Sequence, residues 1–221
     1  MGVAAIPFQT TITPAVSNTT AFGNNIAGVY DGTNDIFTPT TSTTPDGLAH
    51  TIIITNNNAI NLTSYFITIV GTDFNGESQT EVISAPDTLE TVSSTLYYTS
   101  LSYLSLNTND GGNTFDIGIN TGAISPAYPI VWAADKLELN TSTAISGFSV
   151  QYTRSPDLQP STGPYVVNNY IPSSQWIWIT WASTLAGVYQ TLYSPVNIRF
   201  LFTSYTANQS FTFCYSQPRN I

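Results

Sequence analysis

Between Tyr65 and Ser84, two segments of alternating apolar and polar residues flank an Asn75-Gly76 dipeptide. This pattern predicts a β-hairpin. A two-residue type I′ turn on Asn75 and Gly76 sets Ile69 opposite Val82 and leaves Glu77, Gln79 and Glu81 on the other face. A three-residue loop of Phe74, Asn75 and Gly76 instead sets Ile69 opposite Glu81. Burying a carboxylate beside an isoleucine is costly, and a slip of one residue reverses the face of every side chain, so the tighter turn is the expected one.

The same period of two recurs along the chain. Thr51 to Thr55, Leu96 to Leu106 and the alternation of Phe115, Ile117 and Ile119 read as strands, separated by turns such as Asp110-Gly111-Gly112-Asn113. Further on, Ile130 to Leu139 reads as a strand, and Gly147 to Thr153 points Phe148, Val150 and Tyr152 inward. Gln175 to Ala182 sets Trp176 and Trp178 against Ile177 and Ile179. In the last hairpin Val196, Ile198, Phe200 and Phe202 share a face, which Phe211, Phe213 and Tyr215 answer across a turn at Tyr205 to Gln209. No segment of ten or more residues carries a helical period, so the expected fold class is all-β, an antiparallel β-sandwich of jelly-roll or Ig-like type.

The expected domain organisation is an extended N-terminal arm over residues 1–46, a first sandwich lobe over 47–125 and a second over 126–221. The arm carries Pro7, Pro14, Pro39 and Pro45, a density that excludes long helices and central strands. Its apolar residues, including Ile6, Phe8, Ile12, Phe22, Ile26, Tyr30 and Phe37, are candidate contacts with a sandwich or a neighbouring subunit. The Pro-bounded passage Thr121 to Pro129 is the expected lobe boundary. A long loop from Ser155 to Pro172 holds Tyr165 and Tyr170, which join Trp176 and Trp178 as candidate interface residues.

Charged residues make up 8% of the 221 residues, so hydroxyls and amides must supply most of the polar surface. Residues 1–125 hold ten of the 13 carboxylates and no Lys or Arg; Lys136, Arg154, Arg199 and Arg219 all follow. A chain of net charge −9 without a basic cluster repels phosphate backbones, which argues against a nucleic-acid partner. The plain reading of the acidity is a solubility charge, with contact between unlike halves as the alternative. No run of apolar residues is long enough for a spanning helix, so no membrane partner is expected.

Catalytic patterns are sparse. His50 is the sole imidazole, no Gly-x-Ser-x-Gly elbow surrounds a serine, and Cys214 has no basic residue near it in sequence. The clusters Asp31-Gly-Thr-Asn-Asp35 and Asn109-Asp110-Gly-Gly-Asn113 offer oxygen ligands but lack calcium-loop spacing, and Asx-Gly turns explain both. Hence no enzyme, metal or cofactor is expected. Trp132, Trp176, Trp178 and Trp181, with 13 tyrosines, suit a core, a subunit contact or a sugar-stacking surface.

Two stretches bear a likeness to known proteins. Val70-Gly-Thr-Asp-Phe-Asn-Gly-Glu-Ser-Gln-Thr-Glu-Val-Ile, followed by Tyr97-Tyr98 and Phe115-Asp-Ile-Gly118, resembles a pattern in small tailed-bacteriophage virion proteins. Gly147-Phe-Ser-Val-Gln-Tyr-Thr-Arg154, a proline-rich loop, a tryptophan strand and Pro195-Val-Asn-Ile-Arg199 resemble the later part of the same proteins. The resemblance implies a non-enzymatic virion protein: head decoration or cement, or a neck or tail component. It implies major capsid, neck or tail proteins as partners, a location on the virion after synthesis in the host cytoplasm, and a homo-oligomer, with a trimer as the working expectation. The competing expectation is a carbohydrate-binding or receptor-binding β-sandwich module.

Overall fold

The computed structural model describes residues 4–109, 111–129, 136–141, 147–153, 178–183, 190–193 and 197–219. Among the described residues there is no helix, and seventeen strands carry the fold. The fold is all-β and antiparallel, as the period-two pattern predicts. Contacts divide the chain into two units, one of Ala15–Ile124 and one of Met1–Pro14 with Ser125–Ile221. Strand β1 (Ala4–Ile12) falls in the second.

The unit Ala15–Ile124 contains β2 (Asn18–Ala27), β3 (Val29–Tyr30), β4 (Asp35–Phe37), β5 (Ala49–Asn56), β6 (Phe66–Thr72), β7 (Ser78–Ser84), β8 (Thr91–Tyr98), β9 (Ser100–Leu106) and β10 (Thr114–Ile124). One sheet runs β2-β10-β5-β8 and the other β3-β4-β9-β6-β7. Alternate residues from both sheets meet in one core. Phe22, Ile52, Ile54, Tyr98, Phe115, Ile117 and Ile119 come from the first sheet, and Phe37, Ile67, Ile69, Leu101, Leu104 and Leu106 from the second. The rings of Phe37 and Phe115 bridge the layers at 4.6 Å between centroids. Gly118 is needed where β2 crosses close, because a Cβ there would run into the Asn18 carbonyl oxygen.

The strand expected over Leu96 to Leu106 is two strands in different sheets. The chain changes layer at Thr99, whose N–H donates to the Thr72 carbonyl at 2.9 Å and whose hydroxyl donates to the Asp73 carbonyl at 2.6 Å. A Cβ on Gly71 would collide with the Ser100 carbonyl at the same crossing. An apolar alternation that reads as continuous therefore contains a corner.

The hairpin register also differs from the expectation. Ile69 pairs with Glu81 and Thr68 with Val82, so the loop is Phe74, Asn75 and Gly76, closed by Asp73 N–H to the Glu77 carbonyl at 2.8 Å. Gly76 takes the left-handed position at φ 81°, and Asp73 Oδ1 accepts from the N–H groups of Asn75 and Glu77. Consequently Val82 is 61% exposed while Glu81 turns inward. The cost that argued against this register is offset because the carboxylate is not left bare. It accepts from the Thr95 N–H at 2.7 Å, the Thr95 hydroxyl at 2.6 Å and the Leu96 N–H at 3.1 Å, joining β7 to β8. Gln79 makes a parallel link, donating to the Tyr97 carbonyl at 2.6 Å. Burial first, and the Glu81 charge second, push ionisation of the Tyr98 hydroxyl far above its ordinary range.

The second unit contains β1 and β11 (Tyr128–Pro129), β12 (Lys136–Thr141), β13 (Phe148–Thr153), β14 (Ile179–Ser183), β15 (Gln190–Tyr193), β16 (Asn197–Phe202) and β17 (Phe211–Arg219). One sheet runs β1-β17-β12-β15; in the other, β14-β13-β16 lie in order and β11 pairs with β16. As expected, Ile198, Phe200, Phe202, Phe211 and Phe213 all point inward, each no more than 1% exposed. Phe200 stacks on Phe213 at 3.9 Å and Phe202 meets Phe211 at 5.0 Å. Thr153, expected outward, is 3% exposed, on a strand whose pairing with β14 shifts register between Val150 and Gln151.

Strands from residues 4–37 are built into these sheets. β1 pairs along its whole length with β17, from Ala4 opposite Arg219 to Ile12 opposite Phe211. The Thr11 and Thr13 hydroxyls bond those of Thr212 and Ser210. β2, β3 and β4 supply both layers of the Ala15–Ile124 sandwich. Prolines fit here because Pro7 lies in β1, an edge strand, while Pro14 and Pro39 lie between strands.

Candidate functional site

Several of the described residues with chemistry to offer are engaged in the scaffold. His50 is fully buried on β5, with Nε2 3.0 and 3.1 Å from the two Asp46 carboxylate oxygens and Nδ1 3.3 Å from the Asn120 carbonyl. Asp46 also accepts from the Ala15 N–H at 2.6 Å and the Leu48 N–H at 3.0 Å. Burial raises its carboxyl, but the His50 imidazole and these two N–H groups outweigh that and hold it below the ordinary range. The pair pins the start of the unit to the head of β5. Asp31 accepts through Oδ1 from the N–H groups of Thr33 and Asn34, which makes the first acidic cluster an Asx turn. Asn109 does the same for the Gly111 N–H, while Asp110 lies outside the described residues. Cys214 is exposed on β17. Among the described residues, no three His, Cys, Asp or Glu side chains gather as a metal site.

The expected interface residues scatter. Phe22 and Phe37 are 0% exposed and Ile12 7%, so these three are core of their own units and offer no surface to a neighbour. They are apolar for packing. Ile6 and Phe8 lie on β1 opposite Gln217 and Tyr215. Tyr30 is 48% exposed and donates its hydroxyl to the Gly32 carbonyl at 2.8 Å. Tyr165, Tyr170 and Trp176 lie outside the described residues. Trp178 is half-buried with the Arg199 guanidinium 4.1 Å over its ring, so that ring face is not free to stack a sugar.

Two exposed features of the Ala15–Ile124 unit lie beyond the residues expected at an interface. At one end, Asn56 donates its side-chain N–H groups to the carbonyls of Ile60 and Asp87, at 2.8 and 3.2 Å, and Ala85 N–H donates to Tyr65. Those bonds gather Ile60, Tyr65 and Leu89 there, 48%, 36% and 67% exposed. Leu89 is held at φ 56°, a conformation leucine rarely adopts. The second feature is the outer face of β3-β4-β9-β6-β7. Val29, Ile36, Ser105, Thr68 and Val82 form one cross-strand row, and Tyr103, Val70 and Thr80 the next, with no charged side chain among them. Tyr103 becomes visible in sequence once β9 is separated from β8, because it then alternates with Leu104 and Leu106. Nothing local in the sequence marks Leu89.

These features define a class: an all-β protein whose polar side chains brace its own backbone and whose Ala15–Ile124 unit carries exposed apolar groups at one loop end and on one sheet face. No protein-family model matches the chain, and no curated protein matches it. Among solved structures it is similar to a chain in the atomic structure of Sulfolobus Turreted Icosahedral Virus, at 11% identity and a TM-score of 0.22. That alignment covers 98% of this chain and 60% of that one, so this chain spans about 60% of its length. It is also similar to a chain in the structure of infectious bursal disease virus Gx strain, at 12% identity and a TM-score of 0.15, covering 98% of this chain and 72% of that one.

Proposed function

We propose that the chain is a non-enzymatic bacteriophage virion protein that binds and stabilises the capsid as a decoration or cement protein, or the neck or tail. The observation that carries this reading is the apolar end of the Ala15–Ile124 unit, where exposed Ile60, Tyr65 and Leu89 lie on loops tied together by Asn56 and Ala85, and exposed Asp87 and Glu90 flank Leu89 in the chain. Exposed apolar groups flanked in the chain by acids suit a partner with an apolar pocket and basic groups, and an exposed leucine held in a strained conformation is a feature that folding alone does not require. The sequence resemblance supports the same class, and both units are braced by polar bonds suited to a permanent structural part. Ile12, Phe22 and Phe37 being core, adhesion falls to this end in place of an N-terminal arm.

The test mixes full-length protein with shells assembled without it and reads co-sedimentation and the temperature of shell rupture. Wild type is expected to bind and raise that temperature, whereas Leu89→Asp combined with Ile60→Asp keeps its far-UV melting curve and stays in the supernatant. Wild type that ignores shells, necks and tails alike, or a double variant that binds undiminished, refutes the reading.

A further inference from the structure

We propose that the outer face of the sheet β3-β4-β9-β6-β7 carries a binding site for a neutral saccharide of one or two sugar units, resting on Tyr103 and hydrogen-bonded by Asp31 and Asn34. The place is a depression of about 420 Å³ lined by Asp31, Asn34, Ile36, Thr68, Tyr103 and Ser105, a size suited to a small ligand. Pairing of Ile36 with Ser105, Ser105 with Thr68 and Tyr103 with Val70 fixes the strand residues in register. The site is therefore mounted on sheet and on one bonded turn.

Several polar groups of these lining residues have no protein partner among the described residues. Asp31 Oδ2, the Asn34 side-chain amide and the hydroxyls of Thr68, Tyr103 and Ser105 make no hydrogen bond to a described residue. Elsewhere in this unit hydroxyls find each other, as in Thr55 with Thr91 at 2.8 Å and Thr72 with Ser100 at 2.6 Å. Asp31 Oδ1, by contrast, is anchored by two N–H groups at 2.8 Å, from Asn34 and Thr33, which hold the carboxyl below its ordinary range and fix the direction of Oδ2.

The ligand class follows from this inventory. Five unpaired donors and acceptors around a tyrosine ring and an isoleucine match a molecule with a rim of hydroxyls and an apolar face, which is what a pyranose presents. Anionic sugars are disfavoured because Ala15–Ile124 contains no Lys or Arg. A bound calcium ion wants several carboxylates, and one lines this depression. The site stands apart from the virion reading and survives its failure.

The experiment screens the purified full chain on an array of neutral, sialylated and sulfated glycans, then titrates the best neutral one by saturation-transfer NMR. Saturable binding is expected, weakened ~10-fold or more by Tyr103→Ala and by Asn34→Ala, the loss of one good contact. Asp31→Asn keeps an oxygen for the Thr33 and Asn34 N–H groups, so the turn persists while affinity falls; Trp178→Ala leaves affinity unchanged. If Tyr103→Ala does not fold, Asn34→Ala and Asp31→Asn decide. The proposal is overturned if no neutral glycan saturates the protein at ~10 mM, far above the concentrations at which useful sites fill. It is equally overturned if charged glycans or Ca²⁺ bind in preference, or if binding survives Asn34→Ala and Asp31→Asn unchanged.

Discussion

Replacing Glu81 and Val82 one at a time sets the observed hairpin register against the tight-turn one. Glu81 makes three hydrogen bonds onto β8, two to N–H groups and one to a hydroxyl, at 2.6 to 3.1 Å. Bonds to a charged group contribute about 1.5–3 kcal/mol each, but those sharing one half-exposed carboxylate are not additive, so Glu81→Ala is expected to cost about 2–4 kcal/mol. Val82 is 61% exposed, and trimming it should cost less than about 0.5 kcal/mol. Glu81→Gln, which keeps one acceptor, should fall between. All four tryptophans, Trp132, Trp176, Trp178 and Trp181, lie outside Ala15–Ile124, so indole fluorescence does not report on this unit. The assay is urea unfolding followed by far-UV circular dichroism, with hydrogen exchange of peptides spanning 66–84 and 91–98. Under the observed register Glu81→Ala loosens both peptides, because the carboxylate ties one to the other. A larger loss for Val82→Ala than for Glu81→Ala refutes the reasoning and restores the two-residue turn.

In the other unit, Phe200→Ala should cost about 3–5 kcal/mol in urea unfolding read by tryptophan fluorescence, since it strips a fully buried ring from its stack on Phe213. Arg199→Ala should cost about 1 kcal/mol, the worth of its bond to Gln151 and its place over Trp178. Gly71→Ala should destabilise by about 1–3 kcal/mol in far-UV melts, because its Cβ would meet the Ser100 carbonyl and the sheet must shift. On acidification, Asp46 sets the sign for its unit: a carboxyl lowered on folding contributes stability that is complete above its unfolded pKa, about 3.9, and is lost as pH falls through the lower folded value. Melting temperatures followed by circular dichroism should be flat near neutrality and drop below about pH 4, with a shallower drop in Asp46→Asn.

Alternation sufficed to reveal strands because each face of these sheets differs in solvent exposure: Phe115, Ile117 and Ile119 are all fully buried, as are Phe200, Phe202 and Phe213. It failed where a polar residue faces inward with a partner distant in sequence. Glu81 is 14 residues from Thr95, so no local rule distinguishes a carboxylate that would be stranded from one that is bonded. It failed again at Thr99, where the corner is set by contacts with Thr72 and Asp73. For the candidate surfaces, large apolar residues in a proline-rich stretch read as adhesive, yet Phe22 and Phe37 are core. The depression around Tyr103 collects residues from positions 31 to 105, and only the pairing of β4, β9 and β6 brings them together.

The acidity of residues 15–124 has a structural role beyond solubility. With no Lys or Arg in the segment, its carboxylates cannot be neutralised by local ion pairs with such residues. Six of the ten instead accept from backbone N–H groups: Asp31 from Thr33 and Asn34, Asp46 from Ala15 and Leu48, Asp73 from Asn75 and Glu77, Glu81 from Thr95 and Leu96, Asp87 from Thr88, and Asp116 from Asn25. Each site is a turn, a bulge or a sheet corner, where N–H groups have lost their ladder partners and need an acceptor. A charged acceptor makes the stronger bond, and a basic residue nearby would compete for it. Excluding Lys and Arg from this stretch leaves these six acids to the backbone, so the charge asymmetry of the chain fits how its turns are held.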